Sequence, residues 1–275
     1  MIGIDSIITS ALREDIHTGD ITTLAVVPEK RNATARLIAK ESMVLAGIDV
    51  AARVFYLVDP EISFTNCFSD GALLRAGDVI ADIAGDAAAL LQAERVALNL
   101  LQRMCGVATS TARYVQAVAG TGARVVDTRK TTPGLRQLEK YAVRIGGGSN
   151  HRYGLYDGVL IKENHIAAAG GIAIAVTRAR AFIPHTIKIE VETETLEQVA
   201  EALEAGADII MLDNMDLVTM RQAVVLIDGR ALVEASGGVT LETIAKIAET
   251  GVDIISVGAL THSARAMDIS MLLEE

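Results

Sequence analysis

From Gly122 onward, the chain alternates short β-branched, apolar runs with amphipathic segments of helical period. The runs begin near Arg124, Tyr156, Thr186, Asp208, Ala231 and Asp253. Because the last four runs start about 22 residues apart, each step can hold one strand, one helix and two tight loops. This spacing predicts a parallel sheet or a closed βα barrel.

Two segments of this region carry clear helix signals. Residues 195–206 and 240–251 each open with a threonine that can cap a helix and end at a glycine typical of a helix C-terminus. We predict that both are crossover helices, each of which connects two parallel strands.

The first hundred residues have a different organisation. We predict an opening helix near Ile4 to Glu14 and a longer helix from Ala87 to Met104. Extended stretches lie between them at Thr34 to Leu45, Glu61 to Ser69 and Leu73 to Ile83. Strands that are grouped between helices indicate a separate α+β domain, and we place its boundary near Gly106.

Composition narrows the class of protein. The 275 residues are 51% hydrophobic and carry a formal net charge of −10, which disfavours a general nucleic-acid or anionic-membrane binder, because such surfaces need a basic face. The sequence contains no secretory signal pattern and no apolar stretch of membrane-spanning length. Cys67 and Cys105 are too few for a disulfide framework or a structural zinc site. We therefore expect a soluble, cytoplasmic protein.

Cations follow the ends of the first two predicted barrel strands, where the reactive groups of βα barrels gather. Residues 127–165 contain seven Lys or Arg and four Asp or Glu, so this segment is basic within an acidic chain. Four of the cations stand where strands become loops: Arg129, Lys130, Arg152 and Lys162. Because like charges grouped at one mouth are costly without an anionic ligand, we expect most of these four to bind an anion.

Other charges in this segment have a simpler interpretation. Arg136, Lys140 and Arg144 fall on a predicted helix, and we interpret them as solvated charges of its surface. His151 lies on the loop between the two strands, where it could either cap a turn or face the ligand.

The third predicted barrel strand alternates between apolar and ionisable residues. Lys188, Glu190 and Glu192 share the face that points into the barrel, where ionisable groups need a partner, a metal or a substrate. A Lys188–Glu190 pair would satisfy two of them and leave Glu192 for the ligand. Asp213 ends the next strand, either as a helix N-cap or as a second carboxylate that suits magnesium or ribose hydroxyls.

Small residues end the last two predicted strands. Ser236, Gly237 and Gly238 follow one strand, and Gly258 and Ala259 follow the other. Loops after the final strands of such barrels commonly bind phosphate through exposed backbone N–H groups. We predict a phosphate subsite at these turns.

Together these segments resemble the quinolinate phosphoribosyltransferase family, also named nicotinate-nucleotide pyrophosphorylase. The similarity spans nearly the whole chain and keeps the motifs in order. The motifs are Gly19-Asp-Ile-Thr-Thr23, Glu94-Arg-Val-Ala-Leu-Asn99, Gln102-Arg103, Asp127-Thr-Arg-Lys-Thr-Thr-Pro-Gly-Leu-Arg136, Leu138-Glu-Lys-Tyr-Ala-Val-Arg144, Asn150-His-Arg152, Leu160-Ile-Lys162, Asp213-Asn214, Glu234-Ala-Ser-Gly-Gly238 and Gly258-Ala-Leu-Thr-His-Ser263.

The resemblance implies a mixed α/β protein with two domains. An N-terminal α/β sandwich-like (α+β) domain, residues 1–106, would be joined by the tail 264–275. Residues 107–263 would form an incomplete, six-stranded TIM-like α/β barrel. The resemblance also implies a homodimer or larger homo-oligomer with shared active sites.

The resemblance further implies roles for individual residues. Lys130, Lys162, Glu192 and Asp213 would be catalytic, and the two carboxylates would lie at Mg²⁺ and at the ribose of phosphoribosyl pyrophosphate. Arg129, Lys130, His151, Arg152 and Lys162 would bind quinolinate, together with Arg103 of the partner subunit. Ser236, Gly237, Gly238, Gly258 and Ala259 would bind the phosphoribosyl donor near its 5′-phosphate.

The implied reaction transfers phosphoribosyl to quinolinate with decarboxylation, which gives nicotinate mononucleotide, pyrophosphate and CO₂ for NAD biosynthesis. Two alternatives are a molybdenum-transport-associated homologue that acts on another anion and a barrel that binds phosphorylated metabolites without catalysis. The intact set of cations and His151 argues against the first alternative. The presence of both Glu192 and Asp213 argues against the second.

Overall fold

The computed structural model describes residues 3–27 and 31–274. Its helices are α1 Ile4–Ile16, α2 Ile21–Val26, α3 Ile48–Val58, α4 Ala87–Ala117, α5 Arg136–Ile145, α6 Glu163–Ala169, α7 Ile172–Phe182, α8 Leu196–Glu204, α9 Leu217–Ile227, α10 Ile244–Ala248 and α11 Ala259–His262. Its strands are β1 Asn32–Ala39, β2 Met43–Val44, β3 Ser63–Asn66, β4 Leu73–Leu74, β5 Val79–Asp86, β6 Arg124–Val126, β7 Val159–Ile161, β8 Ile189–Thr193, β9 Ile209–Asp213, β10 Leu232–Ser236, β11 Ile254–Ser256 and β12 Ile269–Glu274.

Two compact units divide the chain. The first unit contains the described residues of Met1–Ser110, Thr132–Gly146 and Ala264–Glu275. The second unit contains Thr111–Thr131 and Gly147–Ser263. The segment 132–146, which the sequence analysis assigned to the barrel, therefore packs with the first unit.

An antiparallel sheet of four strands, in the order β12-β1-β5-β3, organises the first unit. The C-terminal strand β12 pairs with β1, so the tail contributes an edge of this sheet. Phe55 of α3 lies against Phe64 of β3, with ring centroids 5.6 Å apart, and Phe55 is fully buried. The sequence analysis did not predict helices α2 and α3.

Helix α4 is longer than predicted. The expected end at Met104 is wrong, because the helix continues to Ala117. A Cβ added at Gly106 would lie 1.9 Å from the carbonyl oxygen of Arg265. Glycine at this position permits a close approach to the segment before β12. The domain boundary near Gly106 stays a prediction.

Helix α5 is enclosed by the first unit. The prediction that Lys140 is a solvated charge is wrong, because Lys140 and Glu139 are fully buried, whereas Arg144 is exposed. The Tyr141 hydroxyl donates to Asp70 Oδ2 at 2.7 Å. Asp70 also accepts hydrogen bonds from backbone N–H groups at the start of α3. These contacts hold α5 within the first unit.

The second unit contains a sheet of six strands in the order β6-β11-β10-β9-β8-β7. The five strand pairings are parallel, and β6 and β7 stand at the two ends of the sheet. The predicted incomplete barrel of six strands is confirmed. As the alternation predicts, apolar residues of β8 and β9 are fully buried, among them Ile189, Val191, Ile210 and Leu212.

Crossover helices join the barrel strands. Thr195 caps α8 by accepting from the N–H of Gln198 at 3.3 Å, as predicted. The predicted start of the later helix at Thr240 is wrong, because α10 begins at Ile244. The N–H of Thr240 instead donates to the Thr243 hydroxyl at 2.9 Å in the preceding turn. Within the described residues, no helix has the length and apolar character that crossing a membrane requires.

Candidate active site

A cavity of about 450 Å³ lies in the second unit, at the C-terminal ends of its strands. Its lining includes all four of the cations that were predicted from strand ends, Arg129, Lys130, Arg152 and Lys162. The other lining residues are Thr128, His151, Leu160, Glu192, Met211, Asp213, Asn214, Glu234, Ser236, Gly237, Gly238 and Ser256. The barrel thus brings residues from distant parts of the sequence to one mouth.

Backbone contacts position Lys130. Its N–H donates to the Thr128 hydroxyl at 3.0 Å, and its carbonyl accepts from the Thr261 hydroxyl at 2.8 Å. A Cβ added at Gly258 would lie 3.3 Å from Lys130 Cδ, so glycine leaves room for the lysine stem. Gly258 and Ala259, which were predicted as phosphate binders, do not line the cavity, although Gly258 borders Lys130.

Arg152 extends along the cavity wall, where Nη1 donates to the carbonyl of Gly158 at 3.2 Å. Burial lowers the pKa of the Arg152 guanidinium, and the positive charge of Arg129 acts in the same direction. The two guanidinium groups therefore repel each other across a partly buried space. An anion between them would relieve this repulsion.

Two carboxylates share the cavity lining with the cations. Glu192 Oε2 forms an ion pair with Lys162 Nζ, so the carboxylate that was predicted to be left for the ligand already has a cationic partner. Asp213 lies in the same lining and accepts from Asn214 Nδ2 at 2.8 Å. The alternative of Asp213 as a helix N-cap is wrong, because Asp216 caps α9 through the N–H groups of its first turn.

Glycines shape the turn after β10. Gly237 and Gly238 have φ angles of +91° and +60°, which side-chain-bearing residues rarely adopt. A Cβ added at Gly237 would lie 2.1 Å from Asn214 Oδ1. The predicted glycine turn therefore presents bare backbone to the cavity, which suits an anionic group such as phosphate.

At the cavity floor, His151 faces two buried glutamates. Its Nε2 lies 3.1 Å from Glu190 Oε2 and 3.6 Å from Glu234 Oε2. The side chains of Glu190 and Glu234 are almost fully enclosed, since the residues are 4% and 1% exposed. The predicted Lys188–Glu190 pair is therefore wrong, because Glu190 is paired with His151.

Hydrogen bonds hold the loop that carries His151. Asp127, fully buried at the end of β6, accepts from the His151 N–H at 2.9 Å and from Asn150 Nδ2 at 2.6 Å. The N–H of Arg152 donates to His151 Nδ1 at 2.8 Å. These contacts fix the plane of the imidazole.

Glu234 was not among the site residues predicted from the sequence. A signal was present, because Glu234 is a lone carboxylate within the apolar strand Leu232–Ser236. Burial raises its pKa to about 8, and the charge of Glu190 acts in the same direction, opposed by His151 and by the Ser256 hydroxyl.

Arg103 belongs to the first unit and does not line this cavity. Its Nε and Nη2 donate to Glu139 Oε1 at 3.0 and 2.7 Å, and its Nη1 donates to the Ala264 carbonyl at 2.5 Å. The predicted contact of Arg103 with substrate across subunits stays a prediction.

Comparison with known proteins agrees with this architecture. Residues 20–105 match the N-terminal domain, and residues 107–272 the C-terminal domain, of the quinolinate phosphoribosyl transferase family. A Bacillus subtilis protein named probable nicotinate-nucleotide pyrophosphorylase [carboxylating] is 49% identical over 94% of this chain and 89% of its own length. A chloroplastic Arabidopsis thaliana protein named nicotinate-nucleotide pyrophosphorylase [carboxylating] is 44% identical over 98% of this chain and 82% of its own length.

A solved structure has the same fold. The nicotinate-nucleotide pyrophosphorylase from Francisella tularensis superimposes with a TM-score of 0.95 at 41% identity, and the match covers 100% of this chain and 98% of that one. Both family domains are therefore present in one chain, in the same order and with the same fold. The chain belongs to the quinolinate phosphoribosyltransferase family.

Proposed function

We propose that the protein transfers phosphoribosyl from phosphoribosyl pyrophosphate to quinolinate, with decarboxylation to nicotinate mononucleotide, pyrophosphate and CO₂. The observation that carries this proposal is the single cavity whose lining combines four cations, two carboxylates and a glycine turn. The proposal is supported by relatives whose names include the word carboxylating or decarboxylating. The two alternative functions find no such support.

The cations suit a small dicarboxylate. Arg129 and Arg152 can each offer a planar fork of N–H donors to a carboxylate, which fixes the plane of the pyridine ring as well as its position. Lys130 and Lys162 add point charges at the same mouth. With both carboxylates held, the ring nitrogen can be aimed at the anomeric carbon of the ribose.

The carboxylates and the glycine turn of the lining form a wall that suits the phosphoribosyl donor. Glu192 and Asp213 can accept hydrogen bonds from ribose hydroxyls, and the turn of Ser236, Gly237 and Gly238 can donate backbone N–H groups to the 5′-phosphate. Gly258 and Ala259 remain proposed for the same phosphate, because Gly258 borders Lys130.

Mg²⁺ fits the same wall. Glu192 and Asp213 supply carboxylate oxygens within one cavity, and hard divalent cations prefer oxygen ligands. When bound, Mg²⁺ would neutralise charge on the pyrophosphate leaving group.

The chain's own residues act mainly by position and charge. As the ring nitrogen bonds to the anomeric carbon, the bond from that carbon to pyrophosphate breaks. Glu192 and Asp213 stabilise the positive charge that develops on the sugar, and Lys130 and Lys162 stabilise the departing anion. The ring nitrogen becomes cationic, and its positive charge stabilises the electron pair that stays on the adjacent ring carbon when the carboxylate on that carbon leaves as CO₂. His151, beside Arg152, holds the loop next to that carboxylate.

The test is a product balance with purified protein, quinolinate, phosphoribosyl pyrophosphate and Mg²⁺. We expect one CO₂ and one pyrophosphate for each nicotinate mononucleotide. Lys162→Ala should lower kcat/KM at least tenfold, whereas Arg265→Ala, at an exposed position of the first unit, serves as the matched control. Nucleotide formation without CO₂, or no turnover of quinolinate, would contradict the proposal.

The proposal also includes a homodimer or larger homo-oligomer in which Arg103 of the partner subunit completes the quinolinate site. Arg103→Ala and Lys162→Ala proteins should each lose about nine tenths or more of the wild-type activity, and mixing them should restore some activity through hybrid oligomers that contain one intact site. If subunit exchange is demonstrated and the mixture stays inactive, the shared site is wrong. We place the reaction in the cytoplasm, in line with the free thiols of Cys67 and Cys105.

A further inference from the structure

His151 at the floor of the cavity faces two buried carboxylates that have no role in the substrate contacts proposed above. Of these two, Glu234 lines the cavity and Glu190 does not. Among the described residues, Glu190 Oε1 and Glu234 Oε1 lack any hydrogen-bond partner. Burying an ionised carboxylate without a partner is costly, so such a group either binds a cation or keeps a proton. The contacts of His151 decide between these possibilities.

A metal ion at this floor is disfavoured by the histidine. The candidate ligand atoms of His151, Glu190 and Glu234 lie within 4.8 Å of one another. His151 Nδ1 accepts the N–H of Arg152, however, so Nε2 carries the hydrogen of the neutral ring and has no lone pair for a metal. The site therefore favours a proton.

Distances assign this proton to Glu234. Glu190 Oε2 is the nearer acceptor for the His151 N–H, at 3.1 Å against 3.6 Å for Glu234 Oε2. Glu234 is also the more deeply buried of the two. Its neighbours in the sheet register are the apolar Met211 and Ile254, while Glu190, His151 and the Ser256 hydroxyl are the polar groups that face it. A pKa of about 8 for Glu234 agrees with this assignment.

Glu234 lies between two cavities. It lines the cavity of about 450 Å³ described above and also a second one, of about 590 Å³, towards the N-terminal ends of the strands. The second cavity is lined by Arg124, Val159, Lys188, Ile209 and Ile254, among others. His151, Arg152 and Glu234 are common to both linings. A proton given up on one side can therefore be replaced by water on the other.

We propose that Glu234, as a carboxylic acid, supplies the proton that replaces the carboxyl group lost as CO₂. When the carbon–carbon bond breaks, its electron pair stays on the ring carbon beside the cationic nitrogen. That carbon takes the proton as the O–H bond of Glu234 breaks. The carboxylate then regains a proton from water in the second cavity. This inference rests on the proposed function.

The decisive variant is Glu234→Gln, which keeps the shape of the side chain and cannot donate an acid proton. We expect kcat with quinolinate to fall about 100-fold or more, because a positioned general acid typically contributes 10²- to 10⁴-fold. Binding of quinolinate, measured by calorimetry, should change less than about threefold, since the residue is not part of the cation cluster. A Gln variant with wild-type kcat would mean that Glu234 only fills space, and would overturn the inference.

The dependence of kcat on pH distinguishes a proton donor from a residue with a purely structural role, because a structural residue would not change this dependence. Wild-type kcat should fall as the pH rises through about 8, because the acid form of Glu234 is lost. Glu234→Asp should recover part of the activity and keep this alkaline fall, whereas the residual activity of Glu234→Gln should lack it. If the Gln variant fails to fold, a wild-type kcat that stays constant between pH 7 and 9.5 overturns the inference by itself.

The outcomes separate the two proposals. If the wild-type protein does not convert quinolinate, the proposed function fails and this inference with it. If the wild type converts quinolinate and Glu234→Gln equals it at every pH, only the proton donor is wrong.

Discussion

Each of the two units buries a glutamate, and the two glutamates have opposite surroundings. In the first unit, Glu139 is fully buried and accepts hydrogen bonds from Arg103 and from both the N–H and the hydroxyl of Thr132. In the second unit, Glu234 is equally buried, yet Oε1 has no hydrogen-bond partner among the described residues. Glu139 is neutralised by an arginine, and Glu234 faces another carboxylate.

This contrast separates a structural carboxylate from a reactive one. A buried carboxylate that accepts several hydrogen bonds joins the elements around it, here α4, α5 and the turn before α5. A buried carboxylate beside a like charge holds its proton near neutral pH, where proton transfer is useful. Substitutions can test whether the contrast is real.

The largest effect on stability is expected in the first unit. Glu139→Ala should lower the free energy of unfolding by about 3 to 5 kcal/mol, because it leaves the Arg103 guanidinium partly buried without its carboxylate. Chemical denaturation measures this loss. Glu139→Gln is the matched control and should lose less, because an amide oxygen still accepts from Thr132. A loss below 1 kcal/mol for Glu139→Ala would show that Glu139 is not a structural carboxylate, and the contrast with Glu234 would not hold.

A pH-dependent effect of similar size is expected for Glu234→Gln. The pKa of Glu234 is raised from 4.5 in the unfolded chain to about 8 in the fold. Between these values the folded state keeps a proton that the unfolded state loses, so the wild type becomes less stable as the pH rises, by up to about 1.4 kcal/mol per pH unit. The Gln variant lacks this contribution.

Thermal unfolding at pH 5 and pH 8 checks this prediction. The stability of Glu234→Gln minus that of the wild type should be more favourable to the variant at pH 8 than at pH 5. An unchanged difference between the two proteins would show that Glu234 is already ionised in the fold.

A moderate effect is expected for Thr132→Val, which removes one hydroxyl donor from Glu139 and keeps the backbone N–H. The loss should be about 1 kcal/mol, the usual contribution of one hydrogen bond to stability. Urea unfolding measures the loss for Thr132→Val and for Thr132→Ser, which keeps the hydroxyl. The difference between the two losses gives the contribution of this hydrogen bond. Equal losses for both variants would assign the effect to packing.

The smallest effect is expected for an exposed ion pair. Arg265 pairs with Glu41 at the surface of the first unit, with the arginine side chain 62% exposed. Because solvent screens such pairs, Arg265→Ala should lower the free energy of unfolding only marginally. A larger loss would show that exposure is a poor guide to the strength of ion pairs in this protein.

The sequence was sufficient for the barrel and for most of its mouth. Regular spacing predicted the parallel strands, and the position of Arg129, Lys130, Arg152 and Lys162 at strand ends placed them in one cavity. Both predictions rest on local periodicity and on one general rule about βα barrels.

Contacts between distant residues could not be predicted in this way. Lys140 looked like a surface charge, because a helical pattern does not reveal which neighbours enclose it. The local pattern around Gly106 also could not show that the Arg265 carbonyl approaches this glycine. Glu190 was assigned to Lys188, its neighbour on the strand face, although His151 was the available partner from another loop.

Competition between two substrates tests the central claim most directly. The wild-type protein would be incubated with phosphoribosyl pyrophosphate, Mg²⁺ and equal amounts of unlabelled quinolinate and ring-deuterated nicotinate. Mass spectrometry would then identify the nucleotide formed, and the released CO₂ would be measured. We predict that almost all nicotinate mononucleotide is unlabelled and that one CO₂ is released for each molecule formed. Deuterated product formed without CO₂ would contradict the account.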